Sequence, residues 1–234
     1  MKVLAIAAQK GGTGKTTLAG HLAVQAERAG AGPVALIDTD PQGSLATWWN
    51  ARAADTPQFV RTAIATLAED LERLRGAGMK LVVIDTPPAL TWAILDVVKA
   101  SDMVLVPVRP SPHDLAAAGA TVDLVEGLRK PIVFVINGAS PRARITGEAA
   151  IALSQHGTVA PTVINNRTEF ASSMIDGRTV MELPRAHRST EEIESLWAYV
   201  GDRLDRTTGT AGKVLNLHFA KTSSARPRLE RAAL

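Results

Sequence analysis

Cysteine is absent from the 234 residues. The chain therefore has no thiol for a disulfide framework, a thiolate zinc site or an iron–sulfur cluster. Aromatic residues make up only 4%, with a single tyrosine, Tyr199. No apolar run approaches the roughly 20 residues that span a bilayer. No secretory leader fits either, because the first apolar run leads into a glycine loop rather than a cleavage site. A cytoplasmic protein without stable membrane insertion is expected. The five histidines, His21, His113, His156, His187 and His218, have no metal-ligand spacing. No Gly-x-Ser-x-Gly elbow and no internal repeat is present.

Net charge is also small, +3 with a sequence pI near 9.4, but it is unevenly spread. Residues 201–234 hold seven basic side chains (Arg203, Arg206, Lys213, Lys221, Arg226, Arg228, Arg231) against Asp202, Asp205 and Glu230. Their net +4 leaves the first 200 residues at −1. A basic end on a near-neutral body suits a polyanion partner; the alternative is a solvated tail.

What the chain does have is apolar substance: 46% hydrophobic residues in 24.7 kDa, enough for one full core. The run Val3–Ala8 has the length of one buried strand, and Leu18, Leu22, Ala23 and Ala26 recur at helical spacing. Between them lies Gln9-Lys10-Gly11-Gly12-Thr13-Gly14-Lys15-Thr16-Thr17. Strand, glycine loop and helix form the context in which such a string cradles phosphates. Gly11, Gly12 and Gly14 let the backbone turn tightly with its N–H groups inward, and the helix N-terminus adds positive potential. Lys15 then reaches the β- and γ-phosphates, and the Thr16 hydroxyl can ligate Mg²⁺.

The loop departs from the general pattern at Gln9, where glycine is usual, and it opens with a second lysine. The string from Lys10 to Thr16 resembles the deviant Walker A motif of the ParA/MinD family of ATPases. The resemblance implies ATP and Mg²⁺ as cofactors, a nucleotide contact for every residue from Lys10 to Thr17, and a homodimer formed on ATP. It also implies that Lys10 reaches across to the partner subunit's nucleotide; the plain alternative is a solvated loop lysine. Cysteine-free, the chain is not equivalent to cluster-bearing relatives such as the nitrogenase iron protein.

Two further strand ends carry carboxylates. Val34–Ile37 runs into Asp38-Thr39-Asp40-Pro41-Gln42-Gly43, at the carboxyl edge where open α/β sheets bind ligands. By resemblance to the family's second motif, Asp40 orients the attacking water and Asp38 holds the water shell of Mg²⁺. Either aspartate alone also serves as an N-cap for a helix at Leu45–Asn50. Leu81–Ile84 runs into Asp85-Thr86-Pro87-Pro88, a Walker B arrangement whose carboxylate acts on Mg²⁺ through water. Trp48 and Trp49 either pack on the sheet or serve a partner surface.

Farther along, strands are expected at Phe59-Val60, Met103–Val108, Pro131–Ile136 and Val159–Ile164. Helices are expected at Ala65–Arg75, Asp114–Leu128, Glu148–Ser154 and Glu169–Ile175, with Thr179–Pro184 as a connection. A last helix, Thr190–Leu204, is expected to open on a capping-box-like Thr190. Asn137, closing its strand, resembles the family residue that reads the adenine edge, though asparagine is also a common turn residue. Arg167, Arg185, Arg188, Arg203 and Arg206 lie where family members carry their DNA surface, and their planar forks suit phosphates. Gly209–Gly212 reads as a linker.

The expected fold is α/β: a mostly parallel twisted sheet of about seven to eight strands with helices on both faces. The ATPase domain is expected to cover residues 1–208, with a basic tail at 209–234. Beginning at its first strand, the chain is expected to lack an N-terminal helix-turn-helix. The resemblance points to a ParA-type partition ATPase, Soj-like, whose ATP dimer binds DNA non-specifically on the nucleoid. A centromere-binding or adaptor protein then stimulates hydrolysis. The cargo is a plasmid, a chromosome or a large cytoplasmic cluster. Two alternatives stand beside this reading. A MinD-like membrane cycler needs a C-terminal amphipathic helix, for which Lys213–Lys221 is a poor candidate. A metabolic ligase of the same fold needs substrate-pocket residues that the sequence does not identify.

Overall fold

Strand β1 (Lys2–Ile6) is the centre of the molecule because its side chains are apolar on both sides. Val3 and Ala5 point to one face of the sheet, Leu4 and Ile6 to the other, and all four are buried. The structure, a computed structural model, describes residues 1–88 and 92–222, the side chains of 92, 93 and 208–222 excepted. In chain order β1 is followed by α1 (Lys15–Arg28), β2 (Val34–Asp38), α2 (Ser44–Asn50) and β3 (Gln58–Val60). Next come α3 (Leu67–Gly76), β4 (Leu81–Asp85), α4 (Trp92–Ala100), β5 (Met103–Val108) and α5 (Pro112–Gly127). The chain continues through β6 (Ile132–Ala139), α6 (Arg144–Ser154), β7 (Thr158–Val159), β8 (Ile164–Asn165), α7 (Thr168–Met174) and α8 (His187–Thr222).

The strands form one eight-stranded sheet in the order β3-β2-β4-β1-β5-β6-β7, with β8 added to β6. Every pairing is parallel. The chain leaves β1 toward β2 on one side and later crosses to β5 on the other. Beside β1 the strand order therefore reverses, which opens a crevice at the carboxyl ends. Leu18, Leu22, Trp48, Phe170, Ile193 and Trp197 cover one face, bringing α1, α2, α7 and α8 onto the sheet. Leu71, Ile94, Val98, Val122 and Leu153 cover the other from α3, α4, α5 and α6.

Three local expectations are corrected and one helix is added. The single strand expected at Val159–Ile164 is two short ones, because Pro161 cannot donate to a ladder. Helix α8 begins a turn before Thr190, whose hydroxyl instead donates to the Val180 carbonyl at 3.1 Å. Gly209–Gly212, expected as a linker, lies within the helical backbone of α8. Glycine weakens a helix by about 1 kcal/mol but does not break it as proline does. Helix α4 has no counterpart in the sequence reading, since its apolar, β-branched run reads equally as strand. Of the expected tail, residues 223–234 lie outside the described residues, as do the side chains of Lys213 and Lys221.

Candidate active site

The loop between β1 and α1 closes into α1 through Gly14, which holds the left-handed φ of 93°. A Cβ there would lie 2.2 Å from Nδ2 of Asn137, so only glycine lets β6 approach. Asn137 uses that approach to donate from Nδ2 to the Thr13 carbonyl at 2.6 Å. The residue expected to read adenine thus first braces the phosphate loop. It still borders a cavity of about 200 Å³ between the loop and β6, together with Gly138, Asn165 and Asn166.

Lys15 is buried, its ammonium 3.4 Å from the Lys10 carbonyl. Burial lowers its pKa, while Asp85 and Asp40 act in the opposite direction. Thr16 donates to Oδ2 of Asp85 at 2.6 Å, joining the first turn of α1 to the end of β4. Burial lifts the Asp85 carboxyl to about 7 against the pull of that hydrogen bond. Its other oxygen, Oδ1, is buried and has no hydrogen-bond partner. A buried orphan acceptor beside a threonine hydroxyl suits a hydrated divalent cation. Among the described residues no cluster of three His, Asp or Glu could cage a metal alone. Mg²⁺ rarely needs one, since it shares its shell among one or two carboxylates, water and phosphate.

Asp38 takes up the helix-cap role that stood beside its expected place in the Mg²⁺ water shell. Its Oδ2 accepts the N–H groups of Leu45 and Ala46 at 3.1 and 3.0 Å, and its Oδ1 that of Asp40 at 3.0 Å. Burial raises its pKa; the N–H donors oppose that. The carboxylate thus caps α2 from a strand end and fixes the turn that carries Asp40. Asp40 itself accepts from Gln42 N–H and borders the main cavity, of about 640 Å³, with Gly12, Lys15 and Thr16.

Lys10 lies on its own subunit. Its ammonium is 2.7 Å from Oδ2 of Asp114 in the first turn of α5, where the Ser111 hydroxyl also donates. Burial works against the Asp114 carboxylate, but the Lys10 and Ser111 hydrogen bonds hold it below the usual range. Sequence reasoning missed Asp114, although Ser111-Pro112-His113-Asp114 carries the S-x-x-D signature of a helix start.

Behind the loop a second network ties α1 to the far segment. His21 is fully buried; its Nδ1 meets the Thr17 carbonyl at 2.7 Å and its Nε2 accepts from Val180 N–H at 3.1 Å. Burial lowers its pKa to about 4. Trp48 packs on α1 at Gly20 and donates to the Arg178 carbonyl at 3.0 Å. Trp49 stacks on Phe59. Both tryptophans therefore pack, although Trp48 also borders the main cavity. Arg52 lies over the Trp48 ring and forks onto Glu182 at 2.7 and 2.8 Å. Gly177 permits this contact, since a Cβ there would strike the Arg52 backbone at 2.3 Å.

Of the five arginines expected on a DNA surface, three have partners within the subunit. Arg167 borders the smaller cavity beside β6 and is spent on Glu192 at 2.8 Å. Arg203 stacks on Tyr199, and Arg206 pairs with Asp202 at 2.8 Å. Arg185 and Arg188 are exposed near the start of α8. Eighteen residues of helix separate Arg188 from Arg206, about 27 Å at 1.5 Å per residue.

Among the described residues no helix is long and apolar enough to cross a membrane. The family model of the CobQ/CobB/MinD/ParA nucleotide binding domain matches residues 4–180. Maintenance of carboxysome distribution protein A of Halothiobacillus neapolitanus is 31% identical over 203 residues, 82% of this chain and 93% of that one. The protein of the same name from Gloeobacter kilaueensis is 35% identical over 218 residues, 88% of this chain and 94% of that one. The Mg-ADP complex of MinD from Pyrococcus horikoshii has the same fold, with a TM-score of 0.71 at 16% identity over 85% of this chain and 95% of that one. With its phosphate loop, strand-end carboxylates and parallel sheet in the matched region, the chain belongs to the ParA/MinD family of nucleotide-binding ATPases.

Proposed function

We propose that this chain is a Mg²⁺-dependent positioning ATPase whose subunits close face to face on two ATP molecules. The closed pair binds DNA without sequence preference, and an adaptor protein releases it by stimulating hydrolysis. The observation that carries the reading is the buried Thr16–Asp85 pair with its orphan oxygen, beside a cavity that Thr16 borders together with Lys15 and Asp40. Thr16 and Asp85 would hold Mg²⁺, with Asp38 acting at most through water. Bound there, the metal supplies charge neutralisation for the phosphates.

The chain's own residues do the rest. The loop N–H groups and Lys15 bind the phosphates, and Asp40 orients the attacking water. Lys10, released from Asp114, reaches the nucleotide of the second subunit. Two relatives matched over most of both chains are named for carboxysome distribution. That supports a large cytoplasmic cluster as cargo in preference to a plasmid or chromosome.

Phosphate release with and without Mg²⁺, in wild type and Asp40→Ala, tests the enzyme. Asp40→Ala is expected to lose about a hundredfold or more of turnover while ATP affinity stays near that of wild type. Turnover that survives the substitution, or that ignores Mg²⁺, would contradict the reading.

A further inference from the structure

The main cavity beside the phosphate loop and the smaller cavity beside β6 share four bordering residues: Gly14, Thr17, Arg109 and Ala171. Only Arg109 of these carries a charge. It follows the last residue of β5 directly, so its backbone is fixed at the carboxyl edge of the sheet, one strand from β1. Its side chain runs across the gap between the loop and β6. Two guanidinium nitrogens lie 3.9 and 4.0 Å from where a Cβ on Gly12 would stand, and Nε lies 3.6 Å from the same position on Gly138. Gly12 and Gly138 both hold positive φ, 74° and 65°, so neither site favours a side chain that would fill this space.

Among the described residues the Arg109 guanidinium has no salt bridge or hydrogen bond, and the Asp114 carboxylate acts on it only at a distance. The other two cations of the loop are engaged: Lys15 is buried within it, and Lys10 is paired with Asp114. An exposed arginine gains little by lying over glycine backbone. Over an anion bound in that loop it gains two parallel charge-assisted hydrogen bonds.

We propose that Arg109 is a nucleotide-contacting residue, its guanidinium meeting a phosphate of the nucleotide bound in its own subunit where the two cavities join. This rests on the reading of the loop as a nucleotide site and extends it from the loop and strand-end carboxylates to the exit of β5. Its contribution belongs to the phosphates and not to the base, because the charge is what the neighbouring backbone leaves unanswered. Arg109 thus favours nucleotides over nucleosides.

Calorimetric titration of wild type, Arg109→Gln and Arg109→Lys with Mg-ATP, Mg-ADP and adenosine tests this. Arg109→Gln is expected to weaken ADP and ATP by about ten- to fiftyfold, the scale of one charge-assisted contact. Adenosine affinity is expected to be unchanged, and Arg109→Lys to recover part of the loss, since a point charge replaces the fork. ADP affinity within about twofold of wild type in Arg109→Gln would overturn the proposal, even if ATP-driven dimerisation fell. So would an equal loss for adenosine, which would make Arg109 a wall of the base pocket. Wild type that binds neither ATP nor ADP would instead overturn the nucleotide reading on which the proposal rests.

Discussion

In a single subunit the ammonium of Lys10 is held 2.7 Å from the carboxylate of Asp114. On the proposed role of Lys10 at a second subunit's nucleotide, the lysine must leave that partner, and the pair would then oppose dimerisation. Asp114→Asn removes the charge and keeps an oxygen for the Ser111 hydroxyl. A half-exposed pair is worth up to about 1 kcal/mol. The variant is therefore expected to dimerise with a dissociation constant lower by about two- to fivefold for each lysine released. Light scattering across a concentration series with a non-hydrolysable ATP analogue measures it. Weaker dimerisation would mean that Asp114 aligns Lys10 and does not restrain it.

His21 sets an acid limit on stability. Its pKa falls from 6.5 to about 4 on folding, because burial disfavours the charged ring. A base whose folded pKa is depressed stabilises the fold above pH 6.5 and loses that contribution as pH falls toward 4. The fully lost contribution is about 3 kcal/mol, of which about 2 kcal/mol is gone by pH 5. Urea unfolding of wild type and His21→Gln between pH 7.5 and 5 checks this. The wild-type slope is expected to be steeper, and parallel slopes would remove His21 as its cause.

DNA binding is expected to require the pair. Along α8, Glu191, Glu194, Asp202 and Asp205 are exposed beside Arg188 and Arg206, so one subunit offers little net positive charge. Each phosphate neutralised adds a slope of about −0.9 in log K against log salt. Binding of a random duplex is expected with ATP, to be weak with ADP, and to show a salt slope shallower by at least about 1 after charge reversal at Arg185 and Arg188. A salt titration by fluorescence anisotropy reads the slope. Binding indifferent to nucleotide would locate it elsewhere than on a closed pair.

How much of this was legible in the sequence depends on the range of each contact. The strand–loop–helix around Lys15 is local, and the spacing of its glycines and apolar residues reads directly. The Thr16–Asp85 bond joins residues 69 apart; only the motif at each end, not either residue's surroundings, announced it. Asn137 was placed at the right edge with an incomplete task, because its amide meets Thr13 only once β6 lies against Gly14. Asp38 shows the same limit. A strand-end carboxylate signals a site or a helix cap equally well, and here two N–H groups of α2 and one of the preceding turn donate to it. Arg109 and the His21–Val180 contact were invisible, since neither sits in a motif and both depend on how distant elements pack.

The central claim is an ATP-closed pair that needs Lys10, and light scattering on a hydrolysis-blocked protein tests it most directly. Asp40→Ala is measured with ATP and with ADP, beside the double variant Lys10→Ala, Asp40→Ala. The account predicts a dimer for Asp40→Ala with ATP, a monomer with ADP, and a monomer in both for the double variant. A double variant that dimerises with ATP as fully as Asp40→Ala, or an Asp40→Ala protein that stays monomeric with saturating ATP, would contradict it.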